Sequence, residues 1–300
     1  MKNKHPHAAV VLVLGLAMAG LHLADLLLWS EADTGFAAAG SIWLRYIPWL
    51  AAFALPYLPA RRAAAQPAGL QDTNKPLGVC MALAGAALLA SGVAAGNTAR
   101  YAILYPEVLS GSCPVWAAWA DLLLPIFAGA WLLNYAVRAF SGFGLQRQRL
   151  GSSLLAGAVP LVFLWRLIWR FQFAPASLCR MPCTLRVLSA AAALLLAVVL
   201  IKIFLVPGLP CGHTLYAAGT GAFLLCTGLE LPQTLFEAAR GMLTMPDLLT
   251  GIGIGLFGLC GLVCAWEACG KETEESKKAL PLAGGEKAPP AIAVARPAPL

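Results

Sequence analysis

Ser152 to Phe171 reads SSLLAGAVPLVFLWRLIWRF, an apolar run about as long as a helix needs to cross a bilayer, with two arginines one turn apart near its end. A charge inside hydrocarbon is costly unless it is partnered, so Arg166 and Arg170 imply partner groups on other helices. The rest of the chain has the same character. Of its 300 residues, 60% are hydrophobic and 12% charged, whereas charged residues make up about a quarter of an ordinary soluble domain. The composition predicts an all-α, polytopic integral membrane protein with no soluble domain.

Each spanning segment must satisfy its own backbone hydrogen bonds, which makes runs of roughly 20 apolar residues the unit to count. Eight such runs are present: Ala8 to Trp29, Phe36 to Leu58, Pro76 to Gly96, Val115 to Phe140, Ser152 to Phe171, Leu185 to Val206, Cys211 to Leu229 and Leu248 to Trp266. The first follows Lys2 and Lys4 and contains Ala17-Met18-Ala19, which resembles a signal-peptidase site. Its apolar run continues through Leu21, Leu23 and Leu26 to Trp29, so a retained helix is expected. Pro232 to Met242 places Leu231, Leu235, Ala238 and Met242 opposite Glu237 and Arg240, the pattern of a short interfacial helix. From Lys271 the chain turns to mixed charge and then to Pro, Ala and Gly. Residues 1–270 are therefore expected to form the transmembrane bundle and 271–300 a disordered inner tail.

The chain has 21 Lys and Arg against 14 Asp and Glu, with the basic residues scattered between apolar runs instead of forming a nucleic-acid-binding patch. They read better as a topology signal. With both termini cytoplasmic, Lys75, Arg138, Arg147, Lys202 and the tail lysines fall inside, and Arg45, Arg100, Arg166, Arg170, Arg180, Arg186 and Arg240 fall outside. Trp29, Trp43, Trp116, Trp119, Trp165 and Trp169 gather toward the same outer ends, as an aromatic belt does. The expected location is the cell membrane, and the expected partners are the lipid bilayer and a small solute.

Depth singles out the candidate site. At 1.5 Å per residue, Asp25 lies about 6 Å, Asp121 about 9 Å and Arg166 about 7 Å below the outer ends of their spans, with Arg45 in the same layer. His22 adds a titratable ring one turn from Asp25. Two readings fit this layer. Asp121 and Arg166, with His22, Asp25 and Arg45, either line an outward pocket that binds or moves a small solute, or form structural ion pairs in a protein that binds partners or only holds its own helices. Asp121 and Arg166, at similar depth on adjacent spans, are the expected pair.

Cys113, Cys179 and Cys183 are predicted outside, where a disulfide is permitted. Cys260 and Cys264 share a helical face but have no His, Asp or Glu beside them, which favours packing over a metal. No H-E-x-x-H, G-x-S-x-G or Walker loop occurs among these residues, and no cofactor is implied. A non-enzymatic protein is expected, with a lipid-modifying enzyme built on His22 and Asp25 as the remaining catalytic alternative. Gly78, Ala82, Ala86, Ala90 and Ala94 on the third span, and Gly251, Gly255 and Gly258 on the last, form ladders of small residues suited to close helix contact. Pro48, Pro125 and Pro160 lie inside spans, where they kink helices or open cavities.

Overall fold

A computed structural model describes residues 6–31, 35–38, 40–57, 70, 73–105, 114–141, 153–173, 179–205 and 211–269. Cys113, the side chain of Arg170 and the expected tail from Lys271 lie outside them. The described chain is all helical: α1 (Pro6–Leu28), α2 (Ile42–Tyr57), α3 (Lys75–Leu104), α4 (Val115–Ser141), α5 (Ser153–Phe173), α6 (Met181–Leu205), α7 (Gly212–Ala239) and α8 (Met245–Ala268). Six of these are long and apolar enough to cross a membrane; the apolar cores of α2 and α5, Ile42–Ala54 and Leu155–Ile168, are shorter. The opening run, which decides the fold class by its composition, thus belongs to one of the two short helices.

Two helix starts follow from local sequence. Asn74 caps α3, its side chain accepting from Leu77 N–H at 3.0 Å, with Pro at the first helical positions where no N–H is needed. Thr244 caps α8, and Asp247 in the first turn accepts from the Thr244 hydroxyl at 2.6 Å, a variant of the capping box.

The seventh span departs from expectation. Cys211 to Leu229 and the predicted interfacial helix are one continuous helix, joined by a π-helical stretch, Phe223–Glu230. Leu231 N–H reaches back five residues to Cys226 O. Pro232 has no N–H to place, so it sits without loss where the register returns to α. Its continuation is also turned the other way from a surface helix. Pro232, Gln233 and Thr234 are buried, whereas Leu235 is exposed. Polar inside and apolar outside is the arrangement hydrocarbon favours.

Backbone approach at glycines sets the main contacts. On α3, Gly78, Gly85 and Gly92 meet α4: a Cβ on Gly78 would fall 3.0 Å from the Phe140 ring, one on Gly85 2.9 Å from Gly129 O and one on Gly92 2.7 Å from Leu122 O, while Leu88 packs on Gly253 of α8. The predicted ladder begins on that face at Gly78 and leaves it at Ala86, which is exposed. The ladder on α8 does make contacts: Gly251 meets Thr234, Gly255 meets Leu231 and Gly258 meets Thr227, all on α7. A core from α3 to α8 results, including Leu88, Trp131, Tyr135, Phe163, Leu196 and Phe257. A smaller cluster of Val11, Met18, Trp49, Ala52, Leu185 and Phe223 attaches α1 and α2 to its side. The Phe223 ring, on the π stretch, rests on Gly15.

Candidate functional site

Polar side chains gather at one end of the bundle. The end is defined by the C-terminal halves of α1, α3, α5 and α7 and the N-terminal halves of α2, α4, α6 and α8, since Asp25 meets Arg45, Ser91 meets Thr250, Arg166 meets Asp247 and Ser189 meets Glu230 there. Asn74, Ala139 and Glu267 mark the opposite end, where Asn74 N–H donates to Ala139 O and its amide to Glu267 at 3.1 Å. Trp29, Trp43, Trp116 and Trp119 sit exposed at the first end.

The layer expected from depth is therefore present, but it is divided into separate groups. Asp25 and Arg45 are brought together, Arg45 Nε standing 3.2 Å from Asp25 Oδ1. Arg45 also donates to Trp29 O and to Ser30 Oγ, whose hydroxyl donates to Asp25. The expected pairing of Asp121 with Arg166 is replaced by two others. Asp121 accepts from the Trp165 indole N–H at 2.9 Å. Arg166 donates to Asp247 at 2.9 Å and to Thr250 Oγ1 at 2.8 Å. Equal depth does not fix which face of a helix a side chain occupies, and neighbouring positions 165 and 166 point about 100° apart.

His22 finds its polar neighbours on α7. Its ring is fully buried, packs edge-to-face on Trp49 at 5.3 Å, and faces Gln233 and Glu230. These two, with Ser189, are the functional candidates that the sequence reading passes over. Glu230 is 1% exposed and accepts from Ser189 Oγ at 2.9 Å. Glu237 accepts from Arg186 and, at 3.0 Å, from the Gln233 amide. Cys179 and Cys183 are both unbridged, Cys179 exposed.

Between α1 and α2 at this end lies a cavity of about 390 Å³. Leu21, Trp29, Leu44, Pro48, Trp49 and Met181 make its walls apolar, and Asp25, Arg45 and Ser41 give it one polar side. Of the prolines expected to open space, Pro48 is the one that lines it. Between α1 and α2, Gly35 adopts φ +70° and Ala37 N–H donates to Cys179 O at 3.2 Å. Arg180 lies over the Phe36 ring, 5.3 Å from its centroid. Six helices able to cross a membrane, with ion pairs and hydrogen bonds turned inward, define a membrane-embedded helical bundle. Comparison with protein families, with characterised proteins and with solved structures finds no match.

Proposed function

We propose that this membrane protein binds a small amphiphilic solute in the cavity between α1 and α2. The observation that carries this reading is the cavity itself. It has the size of a small-molecule site, apolar walls, and one polar side holding both signs of charge. An occupant with an apolar body and a compact polar head fits both surfaces. The head could accept from Arg45, donate to Asp25 and exchange hydrogen bonds with Ser41. Arg166, Asp247 and Asp121 take the other role foreseen for the layer, that of links between helices. Leu21→Trp fills the cavity from its apolar side and leaves the ion pair in place. Native mass spectrometry of wild-type protein released from nanodiscs should detect a bound small molecule, and the Leu21→Trp protein should lose it. A wild type that carries nothing, or a bound species retained by Leu21→Trp, would refute the cavity as a binding site.

We also propose that the end bearing these groups faces outward from the cell membrane, with both termini cytoplasmic. Lys75, Arg138 and Lys202 lie toward the opposite end, which supports this frame. A membrane-impermeant maleimide applied to intact cells should label native Cys179. It should label an introduced Lys202→Cys only after permeabilisation. Equal labelling of both positions before permeabilisation contradicts this orientation.

A further inference from the structure

The His22 group has a composition that its hydrogen bonds do not balance. Gln233 commits both amide hydrogens, one to Pro182 O at 3.3 Å and the other to Glu237 at 3.0 Å. Its Oε1, buried and without another hydrogen bond, is left as an acceptor beside the imidazole. The Glu230 carboxylate, when ionised, is a second acceptor near the ring. Neither ring nitrogen of His22 makes a hydrogen bond of standard geometry, although the ring is fully buried. A neutral imidazole offers one N–H; an imidazolium offers two.

Charge leads to the same place. Every element packed around the ring contributes: α1 carries Asp25, paired with Arg45 of α2, and α2 also carries Tyr46. From α6 comes Arg186, and from α7 come Glu230 and Glu237; Arg180 of the α6 approach lies over Phe36. The ionisable groups of α8, Asp247 and Glu267, interact with Arg166 and Asn74. The carboxylate of Glu230 lies near enough to the ring to attract a proton there, while Arg186 pairs with Glu237.

We propose that His22, Glu230 and Gln233 form a proton-binding site inside the bundle, which takes up one proton between imidazole and carboxylate. On the imidazole, the proton gives both ring nitrogens a hydrogen to donate toward the two acceptors. On Glu230, it makes the carboxyl a donor toward the ring. The site stands apart from the occupant of the α1–α2 cavity, and Trp49 touches both, packing on His22 and lining the cavity wall.

Trp49 also provides the readout, because a protonated imidazole against an indole quenches its emission. Full-length protein in zwitterionic-lipid nanodiscs, without added solute, is titrated from acid to alkali while tryptophan fluorescence is followed. The wild type should show a single-proton step that Trp49→Phe removes, which assigns the reporter, and that His22→Phe also removes. A wild type lacking the step, or a step unchanged in His22→Phe, overturns the proposal. Should His22→Phe fail to fold, Glu230→Gln decides. Loss of the neighbouring carboxylate should move the midpoint by at least about one pH unit, and an unmoved midpoint overturns the proposal.

Discussion

Gly261→Ala is expected to lower the thermal midpoint of the purified protein by about 5 °C, corresponding to roughly 2 kcal/mol. The reason is the crossing of α7 and α8, where Gly219 and Gly261 lie backbone against backbone. A Cβ on Gly261 would fall 2.6 Å from Gly219 O and 3.2 Å from Leu196 Cδ2. Carbonyl oxygen on a helix cannot swing aside as a flexible side chain does, so the two helices must separate. Lipid tails are as apolar as leucine, and separation therefore loses dispersion contacts with no compensating burial. Gly221→Ala is the matched control on α7, two residues from Gly219, since a Cβ there meets nothing within 4 Å. It should leave the midpoint unchanged or raise it slightly, because alanine favours helix over glycine. Fluorescence-detected thermal unfolding in detergent measures both. Equal effects from the two alanines would contradict the close crossing.

Asp247→Asn should be nearly as damaging, through a residue it does not itself bury. The Arg166 side chain is 7% exposed and that of Asp247 47%. Removing the carboxylate thus strands a guanidinium inside the bundle, with Thr250 as its remaining hydrogen-bond acceptor among the described residues. Breaking one side of a buried pair typically costs about 3 kcal/mol, and the wet half of this pair brings the expectation to about 2 kcal/mol. Arg166→Gln should also destabilise, and Arg166→Gln with Asp247→Asn should recover at least about 0.5 kcal/mol of the summed losses, since neither charge is then left alone. Asp121→Asn combined with Arg166→Gln should show no such recovery, because Asp121 bonds Trp165. Recovery with Asp121 and none with Asp247 would restore the pairing expected from depth.

The membrane class was legible in composition, and the need of Arg166 for a partner was legible in its place within an apolar run. The partner was not. Asp247 lies one residue before the expected start of the last span at Leu248, and so was never weighed at depth. Thr244 caps the helix earlier and places Asp247 in its first turn, within reach of Arg166. Glu230 was hidden for a related reason: the sequence reads as a seventh span ending at Leu229 and an interfacial helix starting at Pro232, which leaves the carboxylate at a boundary. The ladder of small residues makes its contacts on α8, whereas on α3 it holds at Gly78 and departs from the contact face by Ala86. There, Gly85 and Gly92 occupy the close face among larger residues, and the unbroken series of alanines beside them drew the reading away. Trp29, Trp43, Trp116 and Trp119 were legible as a belt from their places at helix ends, while Trp165, expected with them, is half-buried and donates to Asp121.

The π stretch of α7 acts as a splice between two rotational phases. One residue beyond the α count advances a helix by about 100°, so the residues before and after such a stretch follow different stripes. Ahead of it, Leu215, Tyr216 and Gly219 face the bundle; after it, Gln233 and Thr234 do, and Leu235 faces out. Leu215 and Gln233 are 18 residues apart, about five whole α turns, so a stripe drawn at α spacing through all of α7 puts them on one side even though they meet different neighbours. The change of phase is what lets one helix present leucine and tyrosine to the main core at one end and a carboxylate and an amide to His22 at the other.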